Sequence, residues 1–404
     1  MTPKNPSLPK HDVFVAGVGL TKVGEHWQTS LRELAFEAIR LAQMDAGGLM
    51  PQALYVANAF APILSHQIQL GTLVADFSGL RGIEAVTIEA AGASGGMALR
   101  QAFLALMSGQ FETALVVGVE KITDKIGSSV LSALASATDA DYEAVHGITP
   151  TAQAALLMRR YLYEYKAPED ALAGFSINSH ANAVTNPKAI FQRALSEKAY
   201  TKAAMICEPL NMMDAAPSID GAAAVLLTRQ SMLPRTSEWP RIRILGSASA
   251  TSALALHDQP DVLTFTAAAE ATHAAYAQCG LRPEDIDIFE LHDRFSIFSA
   301  LSLEAAGFAE KGQGWRLAHD GHISRQGRIP ITTFGGSKAR GDPGGATGVY
   351  QIAEVVLQIQ GRAGENQVAD AMIGMAQCLG GIGATACTHI LGRESDDQGS
   401  IDSS

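Results

Sequence analysis

What this chain lacks first of all is paired cysteine. It carries four cysteines, Cys207, Cys279, Cys378 and Cys387, and none stands in a CxxC pair. That spacing argues against a zinc site built within the chain and against a disulfide framework. Positive charge is also scarce: 30 Lys and Arg face 41 Asp and Glu, for a net charge of -11. A general nucleic-acid surface needs a basic excess, so that class is excluded, while a local cationic patch for a phosphorylated ligand is not. No apolar run reaches the roughly 18 residues of a membrane span. The opening residues, MTPKNPSLPKHD, are polar and hold no apolar signal segment. What is present is a core-forming composition, 404 residues of which 47% are apolar and 18% charged. A chain of that length buries a sizeable core. The expectation is a cytoplasmic globular protein.

Most of the chain reads as two halves with one plan. The first opens with a strand over 13–19 and a helix over 30–47, whose apolar residues recur at helical spacing and whose stop is Gly47-Gly48. Strands follow over 54–59 and 85–89. The stretch AAGASGGMALRQAFLALMSG at 90–109 predicts a helix apolar on nearly every side, and so buried. Strands over 114–119 and 222–227 complete this half. The second half repeats the order: strand 242–245, a helix through 267–280, strand 286–291, a glycine-rich turn, an apolar helix over 344–361, then strands 371–376 and 384–391. Such alternation favours parallel crossovers and a layered α/β fold. A fully apolar helix in each half belongs between two sheets, which predicts five layers, αβαβα.

The halves comprise 12–124 with 206–232, and 240–393. Residues 125–205 break the plan with an acidic stretch (DADYEAVHG) and a helical run (AQAALLMRRYLYEY), and read as an inserted loop domain over a site. The polar tail, 394–404, is expected to be disordered.

Several segments carry a family resemblance: TIEAAGASGGMAL at 87–99, VVGVEKITD at 116–124, INSHANAVTNP at 177–187, SIDGAAAVLL at 218–227, LHDRFS at 291–296, GGSKARGDPGGATG at 335–348 and CLGGIGATA at 378–386. In this order and spacing they resemble the thiolase superfamily, specifically the sterol-carrier-protein-type and archaeal acetoacetyl-CoA thiolases. The resemblance implies the five-layer thiolase fold with two pseudo-symmetric halves, and a homodimer or dimer of dimers. It also implies acyl-CoA thioesters as substrates, with coenzyme A entering as part of the substrate and no covalently bound cofactor. Relatives of this type assemble with a small protein carrying a zinc ribbon and an OB fold, and that partner is a further expectation.

The resemblance also assigns candidate site residues. The family's nucleophile is a cysteine at the start of the first buried helix, where the helix N-terminus stabilises a thiolate. Gly92 occupies that position, so no acyl-enzyme can form there. The family's Gly-His-Pro reads Gly341-Asp342-Pro343. A carboxylate repels a developing oxyanion, so Asp342 is either a general base or a cap on the following helix, and both readings stand. His292, in HDRF at a strand end, matches a histidine that helps form an oxyanion hole; the alternative is a structural histidine bonded to backbone. Cys378 matches the family's second cysteine, an acid/base on the substrate α-carbon, against the plainer reading of a buried core thiol. It precedes the turn Gly380-Gly381. Gly344, in Gly344-Gly345, lets backbone approach a ligand and opens a helix with free N–H donors, though close helix packing explains such glycines equally well. Gly92, His146, His180, Asn186, Gly344 and Gly380 are the substrate-binding candidates. His146 reads equally as a loop histidine, and His180 and Asn186 shape a pocket rather than react.

The leading expectation is a CoA-thioester enzyme that makes or breaks a carbon–carbon bond, or transfers an acyl group, without an acyl-cysteine at the usual place. An aldol-type reaction needs only an oxyanion site and a proton shuttle. His292 suits the first need, and Cys378 with Asp342 the second. Thiolase-like aldolases of steroid side-chain breakdown resemble this solution, but carry tyrosines at the positions of His292 and Asp342. The alternative is a catalytically silent subunit that binds acyl-CoA or scaffolds an active partner.

Overall fold

The computed structural model describes residues 12–233 and 238–394. Apart from Glu394, the tail expected to be disordered lies outside the described residues.

The first half begins with β1 (Val13–Leu20) and α1 (Leu31–Asp45). Ser30 and Glu33 cap α1 reciprocally, and Leu31, Leu34, Ala35, Ala38, Ile39 and Ala42 form its buried stripe. β2 (Ala53–Ala57), α2 (Leu70–Phe77), β3 (Glu84–Ile88), α3 (Ser94–Met107) and β4 (Thr113–Glu120) follow. Next come α4 (Ser128–Ala135), α5 (Pro150–Tyr165) and α6 (Ala173–Ala183), and then β5 (Gly221–Arg229). The second half holds β6 (Ile242–Thr251), α7 (Thr266–Cys279), β7 (Ile288–Glu290), α8 (Ser296–Ala305), α9 (Thr347–Ile359), β8 (Ile373–Gly380) and β9 (Thr385–Arg393).

These nine strands form one sheet in the order β3-β2-β4-β5-β1-β6-β9-β8-β7. The halves meet where β1 pairs with β6 through Phe14–Arg243 and Val15–Ile242. Around that short joint the sheet wraps the two apolar helices. Leu99 and Ala102 of α3 and Ile352 and Val355 of α9 share one core with Val116 and Val225 from the first half and Ile288 and Ala376 from the second. On the outer faces, α1 and α2 cover the first half, and α7 and α8 cover the second. The five layers are present, with their two sheets joined at one edge.

Small residues set the central crossing. A Cβ on Gly95 would lie 2.6 Å from the Val349 backbone N, and one on Gly348 would lie 2.7 Å from that of Gly96. With hydrogen at those positions α3 and α9 pack backbone to backbone, which brings their N-terminal turns together.

Three details refine the expected fold. The sheet is mixed: β2 runs parallel to β3 and β4, and β8 to β7, but the other neighbours are antiparallel. The halves are not equal either, because the second half's counterpart of β3 shrinks to one parallel bridge, Phe289–Ile331. Strand limits also move. β8 starts at Ile373, where the Asp287 carboxylate accepts from the N–H groups of Met372 and Ile373, both at 2.8 Å. β6 runs on to Thr251 because its small residues pair along β9, although GSASAT has no apolar alternation to reveal it. In the 125–205 segment, Leu157, Met158, Tyr161 and Phe175 join the core formed by α7 and α8. Among the described residues no helix is long and apolar enough to cross a membrane.

Candidate active site

Both central helices begin beside one small cavity. β3 ends at Ile88, Ala91 takes φ +50°, and a short 3-10 turn over Ala91–Ala93 delivers Gly92 at the foot of α3. Ser94 Oγ fastens this turn by donating to the Ala91 carbonyl (2.6 Å) and accepting from Ala90 N (2.9 Å). On the other side, Gly344 takes φ +47° and opens the turn that leads into α9. Neither helix has a side-chain cap, and the turns at Gly92 and Gly344 set the positive dipole ends of both beside this cavity. The cavity measures about 30 Å³ and is lined by Gly92, His292, Arg294, Gly344, Phe60 and Leu379 among others. That is room for about one water or one substrate oxygen.

His292 follows β7 and fills the space in front of Gly92. A Cβ there would meet the Leu379 carbonyl at 2.6 Å, His292 Cε1 at 2.9 Å and Nε2 at 3.2 Å. The imidazole is buried, and its Nδ1 has no hydrogen-bond partner among the described residues. Burial pushes its pKa below the usual histidine value, with Asp342 opposing the shift. The ring is therefore neutral at pH 7, with one nitrogen to donate and one to accept.

Asp342 is not free. Its Oδ2 is ion-paired with Arg294 Nη1, and its Oδ1 accepts the Thr347 hydroxyl at 2.6 Å. Its backbone N donates to Pro217 O at 3.0 Å. The helix-cap reading needs revision: the carboxylate meets a side-chain hydroxyl at the start of α9, and no side chain caps the helix N–H groups. Arg294 went unnoticed in the sequence because its partner lies 48 residues away. Its Nη2 reaches Ser218 Oγ at 3.4 Å, and the side chain is 15% exposed.

Cys378 lies on β8, packed between the two central helices. A Cβ on Gly96 or Gly348 would lie 2.9 or 2.7 Å from its Sγ. The thiol donates to Gln351 Oε1 at 3.2 Å, and burial pushes its pKa up to about 12. Cys378 is not among the residues lining the 30 Å³ cavity; its neighbour Leu379 is. Gly380 backs the same wall, where a Cβ would stand 2.5 Å from Ala90 O.

The remaining candidates sit elsewhere. His146 is exposed in a 3-10 turn. Asn186 braces a loop, donating to Phe334 O (2.8 Å) and accepting from Lys188 N (2.9 Å). His180 stacks on Phe191 with centroids 5.7 Å apart and lines a second cavity of about 960 Å³. Ile190, Phe191, Met213 and Pro217 form part of its wall, and Lys338 lies on its lining. The two cavities share a partition, because Ala216 N donates to Arg294 O at 2.8 Å.

Buried acids around the site were also missed. Glu120, at the end of β4, accepts from Asn58 Nδ2 (2.8 Å) and from the backbone N–H groups of Ala59 (2.8 Å), Phe60 (3.1 Å) and Gly345 (3.0 Å). It ties together the two loops that supply Phe60 and Gly344 to the cavity, and burial raises its pKa to about 7. Burial also opposes ionisation of Asp293, but Lys338 and the Ser337 N–H outweigh it and hold its pKa below the usual value. The VEK and HDRF motifs contained these residues, but nothing local distinguished a brace from a catalyst. Among the described residues no cluster of three or more His, Cys, Asp or Glu is arranged to hold a metal.

The comparisons with known proteins agree with this architecture. Residues 13–231 match the family described as thiolase, N-terminal domain, and residues 248–393 match thiolase C-terminal domain-like. An acetyl-CoA acetyltransferase of Methanothermobacter thermautotrophicus is 41% identical, over 95% of this chain and 100% of that protein. The benzoylsuccinyl-CoA thiolase subunit BbsB of Thauera aromatica is 30% identical, over 88% of this chain and 91% of its own length. Among solved structures, the Ltp2-ChsH2(DUF35) aldolase superposes with a TM-score of 0.81 at 25% identity, covering 96% of this chain and 99% of that one. With both halves matched along nearly their whole length, the chain belongs to the thiolase family.

Proposed function

We propose that this protein acts on acyl-CoA thioesters, making or breaking a carbon–carbon bond through an enolate without an acyl-enzyme at Gly92. The observation that carries this reading is the contact between Gly92 and the His292 ring, which leaves no space for a nucleophilic side chain. The 960 Å³ cavity beside Pro217 has the volume to take the CoA arm, and its wall at Ala216 adjoins the small cavity through Arg294. The aldolase named above, similar in fold and in sequence, favours carbon–carbon lysis.

In the cleavage direction a 3-hydroxyacyl-CoA gives its hydroxyl proton to the neutral His292. The C2–C3 bond breaks, C3 leaves as a carbonyl compound, and the electron pair moves to the thioester oxygen as an enolate. The imidazolium then protonates C2, leaving a shortened acyl-CoA and the original imidazole. Burial disfavours the imidazolium, which drives that return. This assigns proton transfer to His292 in place of Cys378, whose buried neutral thiol faces Gln351.

A second reading is an acyl-CoA-binding subunit without chemistry of its own. It is favoured by the Thauera relative being named as a subunit and by the two-component name of the aldolase. The two-component name of the aldolase also supports a small partner protein beside this chain. The test is turnover of 3-hydroxyacyl-CoA and 3-ketoacyl-CoA by the full chain, alone and with any co-purifying small protein. Cleavage of the hydroxy substrate, lost in His292→Ala, supports the enzyme. Binding of acyl-CoA with no turnover in any combination supports the silent subunit.

A further inference from the structure

We infer that Arg294 is the oxyanion-stabilising catalytic residue of this site, held in place by Asp342. The inference rests on the enolate chemistry proposed above. That chemistry places negative charge on the thioester oxygen, and the 30 Å³ cavity has room for one such atom. Of the side chains lining it, Arg294 alone is a cation. Asp342 has both carboxylate oxygens engaged, by Arg294 and Thr347, and Cys378 is turned away toward Gln351. His292 is committed to the proton that leaves and returns.

Arg294 is built for the role. Asp342 holds one guanidinium nitrogen and Ser218 approaches the other at 3.4 Å. Asp342 is itself locked by Thr347 and by its backbone bonds to Pro217 and Ile219. The Arg294 carbonyl is tied to Ala216 N, and its guanidinium carbon lies 5.8 Å from the Phe295 ring centroid. A fork held by Asp342, Ser218 and Phe295 has little freedom to reorganise, which is the condition for stabilising charge that develops only during the reaction. The arrangement also accounts for Asp342: a carboxylate that would repel an enolate on its own instead positions the cation that attracts it.

The test compares wild type with Arg294→Gln, Arg294→Lys, Arg294→Ala and Asp342→Asn as full chains, with any co-purifying partner. Steady-state cleavage of 3-hydroxybutyryl-CoA gives kcat and KM, calorimetry gives acyl-CoA affinity, and circular dichroism checks folding. Expected is a loss in kcat of about 100-fold or more for Arg294→Gln, the size seen when an oxyanion donor is removed. KM and acyl-CoA affinity should stay within about threefold of wild type, the pattern of an interaction made only in the transition state. Arg294→Lys should retain part of kcat, and methylguanidinium should restore activity to Arg294→Ala. Asp342→Asn should lower kcat less than Arg294→Gln does. A folded Arg294→Gln or Arg294→Lys protein with wild-type kcat overturns the inference, as does a rise in KM at constant kcat. Should Arg294→Gln fail to fold, Arg294→Lys and the rescue of Arg294→Ala decide the question. Wild-type inactivity toward every thioester overturns the proposed function and this inference together, whereas an active wild type with an active Arg294→Gln overturns only the inference.

Discussion

The His292 ring stands 2.9 Å from the point where a side chain on Gly92 would begin. Two loops separated by 200 residues therefore share one wall, and the imidazole occupies the volume a nucleophile would need. Gly92→Cys is expected to yield no acyl adduct by intact-mass spectrometry after incubation with acyl-CoA. Gly92→Ala should lower stability by about 1–3 kcal/mol, the usual cost of forcing volume into a packed site, seen as a fall in Tm. A stable thioester adduct on Gly92→Cys at undiminished Tm would contradict this geometry.

His292 also sets a pH dependence. Its folded pKa lies below the usual 6.5 because burial disfavours the imidazolium. Between the folded and unfolded values the unfolded chain binds more protons, so this histidine's contribution is whole above pH 6.5 and is lost as pH falls. The Tm advantage of wild type over His292→Gln should therefore shrink from pH 7 to pH 5. Activity that depends on the neutral ring should be level above pH 6.5 and decline below it. A Tm difference constant across that range would show that the ring titrates normally.

Glu290 carries the opposite sign. Burial, with Glu354 nearby, raises its pKa from 4.5 to about 8, although the Thr333 N–H (2.8 Å) and hydroxyl (2.5 Å) both donate to its Oε1. The folded chain then binds more protons than the unfolded one above pH 4.5, so this contribution is whole at low pH and is lost as pH rises toward 8. Glu290→Gln keeps an acceptor for Thr333 and cannot ionise. Its Tm relative to wild type should climb from pH 5 to pH 8 and then level off. A flat difference would mean that Glu290 ionises as freely folded as unfolded.

Cys378 should behave as a packed thiol. With its pKa pushed up to about 12 and no face on the 30 Å³ cavity, it should resist iodoacetamide in the folded protein, as read by peptide mass spectrometry. Cys378→Ala should lower stability by about 1–3 kcal/mol, because Gln351 Oε1 loses its thiol donor and stays buried. Its kcat should remain within a few-fold of wild type. A hundredfold fall in kcat in a folded Cys378→Ala protein would return the acid/base role to this thiol.

Much of the fold was legible because its causes are local. The stripe Leu31, Leu34, Ala35, Ala38 announces one buried face of α1, and the Ser30–Glu33 pair marks where it starts. The apolar character of 90–109 and 344–361 on nearly every side likewise told which helices lie between sheets. The strand in GSASAT was silent, since small residues that fit beneath α7 carry no alternation. Within the site, the HDRF and GDP motifs named His292 and Asp342.

Tertiary structure alone decided what those residues face. Whether Asp342 caps, accepts a proton or holds a cation depends on Arg294, and whether Cys378 meets a cavity or Gln351 depends on how α3 and α9 cross. Periodicity reports on neighbours three or four residues away. The ion pair, the filled space at Gly92 and the turned thiol arise between segments dozens to hundreds of residues apart, and only close packing of the whole chain brings their charges and volumes within reach of one another.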